Sequence, residues 1–364
     1  MIIYRYFVRE TFGTFVGVVS VLYLIFISNR FIRYLADAAS GKLPADVVTG
    51  LLAVKSLSAL PVLLPLSFFL AVLIALGRFY KDSEMTALAA CGIGVGTVLR
   101  ALGVAAVALA VIVGGVTFVA APWAQRAGER LQITAEAQAD FAGIAAGRFK
   151  EVKNAGLVFY VERLADDGSM EGVFAEKEEA DQRNLLVARR ARQTVDDATG
   201  ERYLVFYDGV RYEGAPGEAD FRMIEFERHG VRMPAPAVSM GESRLGGRST
   251  PELWARRAPD DVAELHWRLA MPVSVLILCG VAIMLSRTDP RQGRFAKLVT
   301  AILVYMVYNN LMGVGRTWVE RGKVPEWVGL WWVHALMLAL FAVLWLRQSG
   351  WSWRYRAKRR VQPA

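Results

Sequence analysis

The stretch SLSALPVLLPLSFFLAVLIALG, residues 56–77, carries no charged side chain. The hydrocarbon core of a bilayer is about 30 Å thick, and roughly 20 helical residues cross it. This stretch therefore predicts a transmembrane helix. Five other uncharged stretches of similar length occur at residues 11–29, 101–125, 269–286, 298–315 and 327–346. The sequence thus predicts a polytopic α-helical membrane protein with six transmembrane helices.

The segment between the third and fourth apolar stretches has a different composition. Residues 126–268 hold 21 Lys/Arg and 26 Asp/Glu, whereas the remainder of the chain holds 22 Lys/Arg and 8 Asp/Glu. The net charge of +9 therefore arises in the membrane part and does not indicate a nucleic-acid partner. We predict transmembrane helices 1–3 in residues 1–125, a soluble domain in residues 126–267, and helices 4–6 with a basic tail in residues 268–364.

Lys and Arg in the short loops predict the orientation, because cytoplasmic loops carry an excess of both. With a cytoplasmic N-terminus, the inner segments hold 15 of these residues and the short outer loops hold seven. Both termini are then cytoplasmic and the inserted domain lies on the other side. A cleavable signal peptide is the alternative for the first stretch. It is disfavoured because the apolar part of a signal peptide spans only about 7–15 residues, and because Arg30 and Arg33 separate this stretch from the candidate cleavage site at residues 36–38.

The inserted domain is predicted to be all-β. Runs of β-branched and aromatic residues occur at residues 157–162, 203–207 and 210–212. The pair Asp208-Gly209 between two of these runs predicts a hairpin turn, since type I′ turns need positive φ. Several strands at short spacing predict a sandwich or a jelly roll. We expect a jelly-roll-like domain with one sheet edge free to accept a strand, and with an apolar interior whose candidate residues are Leu157, Phe159 and Phe206.

Motifs for catalysis and for cofactors are missing from the sequence. It contains no G-x-x-x-x-G-K-[ST] motif for nucleotide binding, and its three histidines have no metal-ligand spacing. Acidic residues outside the predicted domain lie at the ends of the apolar stretches or in loops, whereas proton-coupled transporters need ionisable groups within the membrane. We predict a non-enzymatic protein without a cofactor, which obtains energy from a partner if it transports a substrate.

Cationic residues mark the outer end of two predicted spans. Arg30 and Arg33 lie three residues apart on the first span and so share one helix face, and Arg316 ends the fifth span on the same side of the membrane. One interpretation is interfacial anchoring, in which long cationic side chains reach toward the head groups. The other is a phosphate-binding site, because a guanidinium group matches phosphate oxygens.

A short amphipathic helix is predicted near residues 82–92, in the cytoplasmic loop between the second and third spans. Asp82 and Glu84 favour a helix start, since acidic side chains stabilise the positive end of the helix dipole. Met85 and Leu88 then form a small apolar stripe. Such a helix either docks an ATP-hydrolysing subunit or lies on the inner leaflet, and the residues alone do not decide between these two interpretations.

A set of short motifs carries a family resemblance across the chain. It comprises residues 1–6 with Arg9-Glu10, Ile25-Phe26 with Arg30 and Arg33, Leu64-Pro65-Leu66-Ser67, Ser83-Glu84, Ala90-Cys91-Gly92, Trp267-Arg268 and Pro290-Arg291-Gln292-Gly293-Arg294. With these motifs, three spans on each side and an inserted β-domain, the chain resembles the lipopolysaccharide-export permeases of the LptF/LptG family, and the LptF branch more closely.

This resemblance implies a function and a set of partners. Family members pair as LptF and LptG in the inner membrane of Gram-negative bacteria, contact a dimeric LptB ATPase in the cytoplasm, and bind the single-span jelly-roll protein LptC. Their spans take lipopolysaccharide from the outer leaflet and pass it to a bridge of periplasmic jelly rolls. The resemblance assigns Arg30 and Arg33 to the lipid A phosphates, with Arg316 as a further candidate, and assigns Glu84, with Asp82, Met85 and Leu88, to the ATPase-docking helix.

Two other function classes remain compatible with the pattern of residues. One is a permease that exports a different envelope lipid or a lipoprotein, and the other is a membrane sensor whose β-domain binds a ligand. Co-purification with an ATPase separates both transporters from the sensor, and the identity of the bound lipid separates the two transporters.

Overall fold

A computed structural model describes residues 2–40, 43–142, 146–152, 157–165, 169–179, 182–195, 202–214, 221–232, 245–287 and 297–348. Within these ranges, six helices are long and apolar enough to cross a membrane, as the sequence predicts. The Pro290–Arg294 motif and the basic tail lie outside the described residues. The chain divides into two compact units. We call them the membrane unit (residues 1–31, 52–128 and 243–364) and the sheet unit (residues 32–51 and 129–242), and describe each by itself.

The described residues form nine α-helices, two of which are short, with seven residues each. They are α1 (Ile2–Ala39), α2 (Ala45–Lys81), α3 (Glu84–Ala90), α4 (Val95–Gly115), α5 (Ala121–Ala142), α6 (Thr250–Arg256), α7 (Pro259–Leu285), α8 (Leu298–Glu320) and α9 (Trp331–Gln348). A π-helical turn (Val116–Ala120) joins α4 to α5, and a 3-10 turn (Leu245–Gly247) precedes α6. Both α5 and α7 extend into residues 126–267, so helix continues past the predicted limits of the soluble domain on both sides.

The core of the membrane unit surrounds α7. This helix packs against α4, α8 and α9. In its apolar 18-residue segment, 67% of the residues are buried. Small and aliphatic residues such as Ala270, Val275, Leu278 and Ala282 are almost completely buried there. In the corresponding 18-residue segment of α1, only 6% of the residues are buried. The membrane unit is therefore organised around α7, and α1 presents most of its surface outward.

The sheet unit contains six antiparallel strands in the order β1-β2-β3-β4-β5-β6. They are β1 (Phe149–Val152), β2 (Leu157–Leu164), β3 (Met170–Glu179), β4 (Gln182–Val195), β5 (Arg202–Gly214) and β6 (Phe221–Arg232). The predicted all-β insertion is confirmed. Its connectivity is simpler than that of a jelly roll, because each described strand pairs with the next one in the chain and no crossover intervenes. Phe159 and Phe206 are buried in its core, as predicted, whereas the side chain of Leu157 lies outside the description.

Residues Asp208 and Gly209 do not form the predicted hairpin. Both lie within β5, which continues without a turn to Gly214. The pair predicts positive φ at both residues, and the structure has it at Asp208, with φ +51°, but not at Gly209. Gly209 is required there because an added Cβ would lie 2.6 Å from Val187 O and from the ring of Phe226. The predicted turn is thus wrong, and the positive φ occurs at one residue of the pair, inside a strand.

Asp208 lies where the pairing between neighbouring strands is interrupted, and this interruption crosses five strands. One residue of each strand from β2 to β6 lacks a partner in the ladder, and these residues lie side by side: Glu162, Gly172, Arg189, Asp208 and Glu227. Across this line, which we call the crease, buried side chains are three residues apart, such as Met170 and Val173 in β3 or Ala188 and Ala191 in β4. Elsewhere they are two apart, as a pleated strand requires. The extra residue keeps the apolar side chains on one face of the sheet on both sides of the crease.

Candidate functional site

The end of the membrane unit that is predicted to face the cytoplasm carries α3. Asp82 is exposed just before this helix, and Ser83 precedes it with φ +60°. The helix begins at Glu84, as the acidic residues predict. Glu84 is partly buried and accepts a hydrogen bond of 2.9 Å from the hydroxyl of Tyr6. The exposed residues of α3 are Thr86, Ala87, Ala89 and Ala90.

Met85 and Leu88 turn toward the protein rather than away from it. Met85 is buried, and Leu88 packs against the same apolar core from its edge. The apolar stripe therefore attaches α3 to the membrane unit and leaves its small and polar residues available for a partner. Packing within the chain therefore accounts for the apolar character of Met85 and Leu88, and no partner is needed to cover them.

Two polar contacts tie α1 to the α2–α3 segment at this end. Arg78 of α2 forms an ion pair of 3.3 Å with Glu10 of α1, and Tyr6 of α1 binds Glu84 of α3. Phe7 is fully buried and packs edge-to-face on Phe79, with 5.3 Å between ring centroids. A displacement of α3 would therefore be transmitted directly to α1.

At the opposite end of α1, Arg30 and Arg33 occupy neighbouring turns of one continuous helix. The guanidinium of Arg30 lies over the ring of Phe26, 5.5 Å from its centroid. Its Nε is buried and has no hydrogen-bond partner among the described residues. Arg33 is exposed. Within the described residues, the Nε of Arg30 is thus an unsatisfied buried donor at this end of α1.

Arg316 has a different environment from the one predicted. Its Nη2 lies 2.9 Å from Glu264 of α7, and its Nε lies 2.9 Å from Glu320 of α8. The guanidinium also lies over the ring of Trp267, 5.4 Å from the centroid. The structure therefore groups Arg316 with carboxylates of α7 and α8, and its side chain is already ion-paired.

Glu264 and Arg316 belong to a larger buried network at the start of α7. Arg268 has a side chain that is 1% exposed. Its Nε donates to Glu264, its Nη1 to the hydroxyl of Thr250, and its Nη2 to the carbonyls of Gly246 and Arg248. Thr250 in turn donates to the carbonyl of Phe118 in the π-helical turn. This arrangement connects the segment before α6, the helix α7 and the turn after α4.

A second carboxylate of α7 completes the network. Asp261 is fully buried and forms an ion pair of 2.6 Å with Arg248, while Arg256 lies 3.8 Å away. Buried carboxylates require such partners, because an unpaired charge in a medium of low dielectric is strongly unfavourable. Sequence reasoning assigned Asp261 and Glu264 to the soluble domain and so missed the network. Their spacing to Arg268, seven and four residues on one helix, was the available signal.

The described residues contain no group of three or more His, Cys, Asp and Glu side chains that could hold a metal ion. Cys91 is exposed and Cys279 is buried, and both are free thiols.

Comparison with known proteins agrees with this arrangement. Residues 5–347 match the family described as "Lipopolysaccharide export system permease LptF/LptG". The chain is 28% identical to the lipopolysaccharide export system permease protein LptF of Escherichia coli K12 over 346 residues, which cover 94% of each chain. It has the same identity and coverage with the LptF protein of Shigella flexneri. Because the family match spans nearly the whole chain, the protein belongs to the LptF/LptG family of lipopolysaccharide export permeases.

Proposed function

We propose that this chain is the LptF-type permease subunit of a transporter that removes lipopolysaccharide from the outer leaflet of the inner membrane. The family match over residues 5–347 carries this proposal, together with similarity to LptF proteins over 94% of the chain. Six spanning helices make it a multi-pass membrane protein. Both termini are cytoplasmic and the sheet unit is periplasmic, an orientation that the excess of Lys and Arg in the inner segments supports.

A separate ATPase dimer of the LptB type supplies the energy. The sequence contains no nucleotide-binding P-loop, and α3 offers a short helix with an exposed face between two spans. Asp82 and Glu84 supply the charge of this docking surface, and Met85 and Leu88 hold it on the core. ATP-driven movement of α3 reaches α1 through the Tyr6–Glu84 hydrogen bond and the Arg78–Glu10 ion pair.

The outer half of α1 receives the lipid. Arg30 and Arg33 bind the phosphates of lipid A, because guanidinium groups bind phosphate oxygens through paired hydrogen bonds. The buried, unpartnered Nε of Arg30 supports this role. Most of α1 is exposed in this chain, which suits contact with lipid and with an LptG-type partner. The apolar face of the sheet accepts acyl chains, and a free sheet edge pairs with an LptC-type β-domain.

Charge reversal at α3 tests the proposal. In the co-expressed complex, Glu84→Lys should lose most of its ATPase subunit on purification, because a close charged pair at an interface contributes about 1.5–7 kcal/mol. The variant Tyr6→Phe keeps the carboxylate and removes only its internal hydrogen bond, and it should retain the ATPase. Glu225→Lys, an exposed position of β6, controls for charge alone.

Two results would contradict the proposal. The first is normal assembly and export by the Glu84→Lys complex, and the second is ATP turnover by the purified chain without partners. Mass spectrometry of the wild-type complex identifies the co-purified subunits and the bound lipid, and the absence of lipopolysaccharide from it would favour a different cargo.

A further inference from the structure

Glu264 lies between two guanidinium groups that differ in exposure. Its Oε1 accepts a hydrogen bond from Arg268 Nε, and its Oε2 pairs with Arg316 Nη2, both at 2.9 Å. The side chain of Arg268 is 1% exposed, whereas that of Arg316 is 27% exposed. One carboxylate therefore joins a buried cation of α7 to a partly exposed cation of α8.

Arg268 is the fixed partner of Glu264. All three of its guanidinium nitrogens donate hydrogen bonds, and three of the four acceptors belong to the segment around α6. Removing such a group from its partners would leave buried carbonyls and a buried carboxylate unsatisfied, which is strongly unfavourable. Because of Arg268, Glu264 remains ion-paired when Arg316 moves away.

Arg316 is the partner that can leave. Its side chain is partly exposed, and its second carboxylate, Glu320, lies on its own helix and moves with it. The ring of Trp267 is its other contact with α7, and this contact does not require Glu264. A phosphate presents oxygens to a guanidinium in the same forked geometry as a carboxylate. A phosphate group can therefore occupy the position at Arg316 that Glu264 holds now.

We propose that Glu264 is the resident counter-ion of Arg316, that a phosphate group of the transported lipid displaces it, and that this exchange frees the outer end of α8 from α7. The inference rests on the proposed function. All charges stay paired in both states: Arg268 with Glu264 and Arg316 with phosphate after the exchange, and both cations with Glu264 before it. The contacts of Arg268 with the α6 segment persist, so α8 moves while α6 and α7 stay joined.

The distance between α7 and α8 tests this exchange in the full-length chain with its co-expressed partners in lipid nanodiscs. Spin labels at Leu269 and Val314, both exposed, report the separation after Cys91 and Cys279 are replaced. Lipid A with its phosphates should lengthen this distance, and dephosphorylated lipid A should not. Lengthening by inorganic phosphate as well would support the exchange and show that the phosphate group alone is recognised.

Two matched variants separate the exchange from a general loss of charge. Glu264→Gln should show the long distance without lipid and bind phosphorylated lipid A about tenfold more tightly, the equivalent of one lost competing hydrogen bond to a charged group. Glu320→Gln also removes a carboxylate from Arg316, but this carboxylate lies on α8. The α7–α8 distance in the Glu320→Gln variant should therefore equal that in the wild-type chain.

Two outcomes would overturn the inference: a distance that phosphorylated lipid A leaves unchanged, or identical distances in Glu264→Gln and Glu320→Gln. These outcomes differ from a failure of the proposed function. In that case the wild-type complex would not bind lipid A in a phosphate-dependent manner. Failure of the exchange alone would leave such binding intact and the distance fixed.

Discussion

Helices α1 and α7 both cross the membrane, yet each carries an arginine with a buried Nε that is paired on α7 and unpaired on α1. Arg268 of α7 donates from every guanidinium nitrogen to partners within the chain. Arg30 of α1 has a buried Nε without a hydrogen-bond partner among the described residues. The two helices also differ in burial, since 67% of the residues in the apolar 18-residue segment of α7 are buried, against 6% in that of α1. Arg268 of α7 therefore has its hydrogen-bonding capacity met within the chain, whereas the Nε of Arg30 on α1 does not among the described residues.

The largest expected effect is on α7. Arg268→Ala should lower the free energy of unfolding by about 3–5 kcal/mol, because it leaves Glu264 buried with only a partly exposed partner. Arg256→Ala is the control, since that side chain is 51% exposed and 3.8 Å from Asp261, and it should cost less than about 1 kcal/mol. Unfolding in detergent micelles measures both. Equal stabilities for the two variants would contradict the stabilising role of Arg268.

The next effect concerns ligand binding rather than stability. Replacing Arg30 and Arg33 by alanine should leave insertion and unfolding unchanged and weaken binding of lipopolysaccharide about tenfold or more, since each charge-assisted hydrogen bond contributes about 1.5–3 kcal/mol. The double lysine variant should retain part of the affinity, because lysine binds phosphate as a point charge. Normal lipid binding by a correctly inserted alanine variant would instead favour interfacial anchoring.

A pair of glycines offers a smaller test of the same comparison. An alanine Cβ at Gly280 of α7 would lie 3.2 Å from the ring of Phe341, whereas one at Gly17 of α1 would meet nothing within 4 Å. Gly280→Ala should therefore destabilise the chain by about 1 kcal/mol through overpacking, and Gly17→Ala should leave it unchanged or slightly more stable. If Gly17→Ala disrupts the assembled complex without affecting the isolated chain, the exposed face of α1 contacts a partner.

The smallest effect lies in α6, which Arg268 joins to α7. The backbone N–H of Ser249 donates to Glu252 at 2.9 Å, and this hydrogen bond lowers the pKa of the Glu252 carboxyl. Its contribution to stability is thus present above the usual pKa of glutamate and is lost as the pH falls through the lowered value. Glu252→Gln should cost about 0.3–1 kcal/mol at neutral pH and should flatten the pH dependence of local amide exchange in α6. An unchanged pH profile would contradict this assignment.

The spans and the β insertion could be predicted from sequence because each has a strong periodic or compositional signal. Residues 56–77, for example, have no alternative to a membrane helix. The network at Arg268 could not be predicted, because it depends on which helices pack beside α7 and on a return segment distant in sequence. The Asp208-Gly209 pair shows a third case. The residue types indicate positive φ, which Asp208 has and Gly209 does not, and pairing with the neighbouring strands continues β5 through the pair. The roles of Arg30, Arg33 and Glu84 stay predictions.

The crease has a consequence for how this domain can change over evolutionary time. Its five residues form one column, with one residue contributed by each of five strands. Deleting Asp208 alone would shift every later residue of β5 to the opposite face, since side chains alternate along a strand. The neighbouring strands would keep their own extra residues and lose their register with β5. We therefore expect length changes in relatives to fall outside the strands, and the column to be gained or lost only as a whole.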